Sequence, residues 1–309
     1  MEDEKHESRA PQVSVVITCY NYGEFLNSSI QSVLEQTFQD FEIVVVDDGS
    51  TDNTPEIISQ YTGLPNFRYI RQHNRGQANA KNRGISMARG RYLAFLDADD
   101  KWKASKLEKQ MPLFSKDAVG VVFSLFDYMD ARGRQLDKTR TGEYLLPRRG
   151  MVTEYLFLDN FVPFSTSMVR RECFRKLGVF DESLTMAIDW DLWLRLSTQY
   201  EFDYCDQSLV FYRKGHSGQM SKKTEERSRC IMLIMEKFQN QFPGMLSRNT
   251  IKKAYYYKYC TRGYYFSTRD PLKAAGHYIN AIKTDPLSMR AYFNLMKLPA
   301  KAALGFIKR

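Results

Sequence analysis

Along the N-terminal part of the chain, apolar blocks alternate with segments that are apolar only at helical spacing. Val13 to Thr18 (VSVVIT) is a β-branched run of strand length. A turn through Asn21 and Gly23 follows, and Phe25, Ile30, Val33 and Leu34 then recur at the period of a helix. Phe41 to Val46 (FEIVVV) predicts a second strand, ending in Asp47-Asp48-Gly49-Ser50. Asp52-Asn53-Thr54-Pro55 opens another helix, with proline in the first turn where its missing N–H does no harm. Phe67 to Arg71 predicts a third strand and Gln77 to Arg89 a helix. Arg91 to Leu96 (RYLAFL) predicts a fourth strand, ending in Asp97-Ala98-Asp99-Asp100.

Strand-helix-strand alternation predicts an α/β fold, Rossmann-like, with a doubly wound and mostly parallel sheet. Ligands of such sheets lie outside the carboxyl ends of the strands. Two of these ends carry consecutive carboxylates, which makes them the first candidates for chemistry. Further on, Val119 to Phe123, Phe161 to Val169 and Phe202 to Tyr212 read as strands, and Arg170 to Lys176 and Asp189 to Ser197 as helices. After Ser221 the pattern is helical to the end. There, Gly263, Phe266, Ala274, Tyr278 and Ala281, then Pro286, are spaced like one tetratricopeptide repeat short of a residue in its turn. An ordinary helical hairpin accounts for the same spacing. The expected organisation is a polar tail (1–12), an α/β domain (13–225) in two halves (13–102 and 103–225), and a C-terminal α-helical appendage (226–309).

Charge changes this picture only at the C-terminus. The chain carries +9, and from Leu246 onward thirteen Lys/Arg face two Asp and no Glu, a net of +11 that leaves −2 for everything before it. A basic region of this kind suits anionic lipid, nucleic acid or an acidic protein. The chain closes with AYFNLMKLPAKAALGFIKR, where Phe293, Leu295, Leu298, Leu304, Phe306 and Ile307 alternate with Lys297, Lys301, Lys308 and Arg309. Such a segment is too charged to span a bilayer and suits the headgroup region; packing on the α/β domain is the other expectation. The five cysteines are scattered, without a C-x-x-C pair, which speaks against a disulfide framework or zinc site and for reduced thiols. The N-terminus MEDEKHESRAPQ has no apolar signal core, and no stretch reaches the ~20 apolar residues of a span. The expected location is cytoplasmic, with peripheral attachment to the inner face of the membrane.

Four ordered motifs, VSVVITCYN, VVVDDGSTD, GQANAKNRGI followed by GRYLAFLDADD, and DWDLWLRL, resemble the inverting GT-A glycosyltransferases of family 2 from about Val13 to Ser221. The resemblance implies a nucleotide-diphospho-sugar donor, a divalent metal (Mn or Mg) and inversion at the anomeric carbon. Asp97-Ala98-Asp99 matches the family's DXD signature, which implies Asp99 on the metal and Asp97 nearer the ribose, with Asp100 as a second helper. Carboxylates are hard oxygen ligands of the kind Mg²⁺ and Mn²⁺ take. The resemblance also sets Asp48 against the nucleobase, with Asp47 beside it, and Tyr20 and Asn21 along the same pocket. Lys81 stands where the family often has Arg, facing the base or the diphosphate without Arg's planar bidentate contact.

Asp189 maps to the family's catalytic base, since an alcohol attacks poorly until its proton is accepted. The Glu that precedes it in the family is Ile188 here. Asp191, two residues on, falls nearly opposite on a helix and reads as favourable N-terminal charge. Tyr212 to Ser221 (YRKGHSGQMS) resembles the mobile segment after the family's core, which implies His216 on the metal or Arg213 on the diphosphate. The implied acceptor is a saccharide or lipid-linked hydroxyl, as in cell-surface polysaccharide or glycolipid synthesis, and no nucleic acid is expected. A non-catalytic sugar-nucleotide-binding scaffold is the alternative, disfavoured by the presence of Asp99 and Asp189. A sugar-nucleotide pyrophosphorylase would need a Gly-rich basic loop where CYNYGEF stands.

Overall fold

The computed structural model describes residues 10–136, 146–216, 218–219 and 223–298. Of the polar tail expected at 1–12, residues 1–9 lie outside the described residues, as do 299–309 of the basic terminus. The chain divides into two units, 1–152 with 161–234 and 153–160 with 235–309.

The first unit is built on an eight-stranded sheet: β1 (Val13–Cys19), β2 (Phe41–Asp47), β3 (Phe67–Arg71), β4 (Tyr92–Asp97), β5 (Lys101–Trp102), β6 (Val119–Met129), β7 (Met168–Arg170) and β8 (Glu201–Arg213). Their order is β3-β2-β1-β4-β7-β6-β8-β5. The first four strands pair in parallel. They are joined by α1 (Gly23–Leu34), α2 (Thr54–Ser59) and α3 (Gln77–Met87), as the alternating pattern requires. Val13, Val15 and Ile17 of β1 and Ile43 and Val45 of β2 join one core with Leu26, Ile30 and Val33 of α1. Val44 and Val46 face the opposite layer with Ala80 of α3. Strands buried on both faces read as unbroken apolar runs, which is why VSVVIT and FEIVVV were legible. On the α3 side there is no room for a side chain at Gly84, where a Cβ would lie 2.4 Å from Val16 Cγ1.

The second half of the sheet is mixed. β7 runs antiparallel to both β4 and β6, and β6 pairs in parallel with β8. The strand expected over Phe161 to Val169 is instead a 3-10 turn (Phe164–Thr166) followed by the three-residue β7. Pro163 precedes that turn and its carbonyl accepts from Thr166 N–H and Oγ1, so the chain bends where a strand would continue. α4 (Lys106–Gln110), α6 (Arg171–Leu177) and α7 (Ile188–Leu196) complete the unit's shorter helices, and α8 (Thr224–Gln241) passes from the first unit into the second.

The second unit consists of α5 (Thr153–Leu158), the end of α8, α9 (Arg248–Phe266), α10 (Pro271–Thr284) and α11 (Met289–Met296). Ser247 caps α9 by accepting from Thr250 N–H and Asp270 caps α10 by accepting from Lys273 N–H. α9 and α10 form a helical hairpin closed at Gly263, where a Cβ would sit 2.5 Å from the buried Tyr278 ring. Segment 153–160 belongs here through polar contacts: Glu154 accepts from Ser247 N–H and Thr250 Oγ1, and Lys258 Nζ lies 2.8 Å from Asp159 Oδ1.

Candidate active site

The strand order reverses at β1: β2 and β3 lie to one side and β4 to the other. At such a switch point the loops leaving adjacent strands turn away from each other and open a crevice. The register fixes which loops those are, since Cys19 pairs with Asp47 and Thr18 with Asp97. A cavity of about 680 Å³ lies there, lined among others by Tyr20, Asn21, Asp48, Lys81, Asp97 and Asp99. That volume suits a ligand of drug or nucleotide size. Six residues singled out from the sequence thus share one cavity, and Asp189, Arg213 and His216 are not in its wall.

Asn21 holds the first loop. Its φ of 57° is in the left-handed region, which Asn tolerates better than most residues. Its N–H donates to Ser50 Oγ and its Oδ1 accepts from Thr51 N–H at 2.7 Å, tying the loop after β1 to the loop after β2. Tyr20 stands at the mouth, 44% exposed. Asp48 Oδ1 accepts from Gln72 Nε2 and Arg75 N–H, and Oδ2 from Gly76 N–H at 2.8 Å. The carboxylate is therefore fixed against the start of α3 before any ligand arrives. Asp47 is wholly buried and structural: its Oδ1 accepts from Ser50 N–H and its Oδ2 faces Arg71. Gly49, at φ 83°, makes the turn after them, and a Cβ there would meet Asn74 N at 2.9 Å.

Lys81, on α3, reaches the cavity but its charge is engaged. Nζ lies 2.9 Å from Asp97 Oδ1, 3.2 Å from Thr18 Oγ1 and 4.0 Å from the centre of the Phe164 ring. The residue expected to face the base or the diphosphate thus first pairs with Asp97.

Asp99 meets His216: Oδ2 and Nε2 are 2.9 Å apart, with the imidazole buried against Tyr22 and Phe25. Arg213 does not face the cavity. Its Nε donates to the Asp99 carbonyl and its Nη1 to the carbonyls of Asp130 and Ala131, and the guanidinium lies over Phe25. Burial with three carbonyl acceptors makes it a brace for the acidic turn. Asp100 is likewise a brace: buried, it accepts from Ser165 Oγ at 2.5 Å and from Arg213 N–H at 2.9 Å. Burial, and then the charges of Asp99 and Asp97, push its carboxyl well above the usual range. Ser165 also accepts from Asp97 N–H, so one hydroxyl joins both ends of Asp97–Asp100.

Asp189 is the second residue of α7 and half-buried. The residue before the helix, Ala187, has φ 56°, a left-handed backbone that costs a β-carbon-bearing residue about 1–3 kcal/mol and clusters at functional sites. Ile188 is buried where the resemblance led to a Glu. Asp191 does more than supply terminal charge: its Oδ2 accepts from Arg195 Nε and Nη2 at 2.9 and 2.8 Å, both residues being buried. Tyr22 and Ser165 carried no signal in the sequence. The Tyr22 hydroxyl donates to the Gly218 carbonyl at 2.9 Å, and burial together with Asp99, Asp97 and Asp100 pushes its pKa upward, so it stays a neutral donor. Of the segment 212–221, Ser217, Met220 and Ser221 lie outside the described residues.

A parallel half-sheet with acidic loops around a cavity at its switch point defines an α/β fold with a candidate ligand site, and the comparisons narrow it. Residues 14–178 match the profile of glycosyl transferase family 2. An uncharacterised glycosyltransferase of Nostoc sp. is 38% identical over 249 residues, 75% of each chain. TuaG of Bacillus subtilis, whose name places it in teichuronic acid biosynthesis, is 38% identical over 130 residues, 41% of this chain and 52% of that one. The structure of S. aureus TarS 1–349 with UDP-GlcNAc superposes with a TM-score of 0.70 at 17% identity, covering 96% of this chain and 89% of that one. Mannosyltransferase PcManGT from Pyrobaculum calidifontis, with GDP-Man and Mn²⁺, gives 0.66 at 19% identity over 97% and 81%. The fold is GT-A, and the chain belongs to glycosyl transferase family 2: it is a glycosyltransferase.

Proposed function

We propose that this enzyme moves a sugar from a nucleotide-diphosphate donor to an acceptor hydroxyl in a single, inverting displacement that depends on Mn²⁺ or Mg²⁺. The observation that carries this reading is the meeting of Asp99 with His216 at the edge of a cavity whose wall also holds Asp48 and Asp97. Among the described residues, no three His, Cys, Asp or Glu side chains converge as a metal cage. One carboxylate and one imidazole nonetheless fit the ion, because such metals take one or two carboxylates and complete their shell from substrate phosphates. When bound, it stabilises the charge of the departing nucleotide diphosphate.

The chain's own residues supply the rest. Asp48 Oδ2 accepts one N–H within the protein and keeps a lone pair for a base N–H. Tyr20 offers a face for the base and Asn21 fixes its loop. Lys81 and Asp97 hold each other on the side where the ribose and diphosphate lie. Arg213 and Asp100 keep the acidic turn in place. Asp189 accepts the proton of the attacking hydroxyl. These residues all fall within 13–225.

The donors named with TarS and PcManGT support a nucleoside-diphosphate sugar. The name of TuaG, in teichuronic acid biosynthesis, supports an acceptor in a cell-surface polysaccharide. The test is a calorimetric panel of UDP-, GDP- and dTDP-sugars with and without Mn²⁺. One class should bind more tightly with metal, and Asp99→Ala should remove the metal's effect. A mutant whose donor binding still responds to Mn²⁺ as wild type does contradicts the assignment of Asp99.

A further inference from the structure

We propose that the C-terminal helices carry a docking face for an anionic lipid bilayer, independent of the transfer chemistry. α11 buries Ala291 and turns Met289, Phe293 and Met296 outward, 56%, 51% and 67% exposed. These three stand at i, i+4 and i+7, one stripe of the helix. Arg290 and Lys297, both exposed, form the stripe beside it. α10 repeats the arrangement: Ala274, Tyr278 and Ala281 face inward, Leu272 and Ile279 outward, with Lys273 and Lys283 next to them.

A helix that presents apolar side chains to water on its outer stripe marks an interaction surface. The accompanying charge selects the partner. Between Leu246 and Leu298 the only carboxylates are Asp270 and Asp285. Asp270 caps α10, and Asp285 lies 2.9 Å from Lys252 Nζ. The exposed surface around the apolar stripes is therefore cationic. A second copy of the chain would bring like charges together. Nucleic acid would meet the charges and leave the methionines, leucines and Phe293 in water. A bilayer with anionic headgroups accommodates both: phosphates for the Lys and Arg, the glycerol–acyl boundary for the apolar side chains. Among the described residues no helix is long and apolar enough to cross a membrane, so the face lies on the surface. Residues 299–309 of the closing segment lie outside the described residues, and the proposal rests on α10 and α11.

Co-sedimentation of the full chain with vesicles tests it. Binding should require phosphatidylglycerol, be absent with phosphatidylcholine alone, and fall several-fold as NaCl rises from about 0.1 to about 0.5 M. Two variants address the face itself: Met289→Ser with Phe293→Ser and Met296→Ser, and Arg290→Glu with Lys297→Glu. All five positions are exposed, so both proteins should unfold at the wild-type temperature while the bound fraction drops about fivefold or more. No binding, equal binding to neutral vesicles, or binding undiminished in both folded variants would each overturn the proposal. A lipid-free dimer abolished by the apolar variant would assign the face to self-association instead.

Discussion

Asp189 and Asp191 share a helix turn in different surroundings. Asp191 is buried and ion-paired with Arg195, which also donates to the carbonyls of Leu177 and Val179. Removing its charge leaves a buried guanidinium without a counter-ion, a loss of about 3–5 kcal/mol. Asp191→Asn should therefore lower the unfolding temperature, whereas Asp189→Asn should leave donor binding intact and cut transfer by a factor of about 10² or more. Measuring melting and single-turnover rates for both separates the roles; a slow but thermally unaffected Asp191→Asn beside an active Asp189→Asn would put the base on Asp191. The sequence showed that the two carboxylates face apart, because the helical period dictates it. It did not show the ion pair, because nothing local to DWDLWLRL announces that Arg195 is buried. Arg213 is the sharper case. The resemblance implied a diphosphate for it, and only the fold reveals the three carbonyls that occupy it.

At the scale of elements, the strands of the parallel half were legible because burial on both faces leaves a continuous β-branched signal. Phe161 to Val169 was misread because apolarity alone does not separate a strand from a buried turn. Pro163 and the run Ser165-Thr166-Ser167 mark the difference, since each hydroxyl has a partner: Ser165 with Asp100, Thr166 and Ser167 with carbonyls of their own turn. Ser165→Ala should loosen both ends of Asp97–Asp100. The expected result is a fall in kcat with a smaller change in unfolding temperature, and a kcat equal to wild type would show that the acidic turn holds without it. In the helical unit the hairpin was legible from Gly263 and Tyr278. Gly263→Ala places a methyl against a ring that is fully buried, which should cost about 1–3 kcal/mol. Calorimetry reads this directly, and an unchanged melting curve would mean that α9 and α10 do not close at that point.

For the whole molecule, the topology divides along the same line between local and distant signals. The parallel strand–helix units were legible locally, and their order β3-β2-β1-β4 places the acidic loops at the crevice. The insertion of β7 between β4 and β6, the pairing of β6 with β8, and the grouping of 153–160 with the C-terminal helices rest on contacts between distant segments, which periodicity does not encode. Five candidate residues reached the cavity because their strands end side by side, and Lys81 reached it from α3. His216, outside its wall, reached Asp99 from the end of β8, more than a hundred positions away, and only the resemblance had brought it into view.

The most direct measurement is transfer itself. With the nucleotide sugar selected by calorimetry and a saccharide acceptor, the products are separated and the new linkage examined by NMR. The account predicts nucleoside diphosphate released one for one with a product of inverted anomeric configuration, no turnover in chelator, and loss of turnover in Asp99→Ala with the fold intact. Retained anomeric configuration, or wild-type turnover by Asp99→Ala in the presence of chelator, would contradict it.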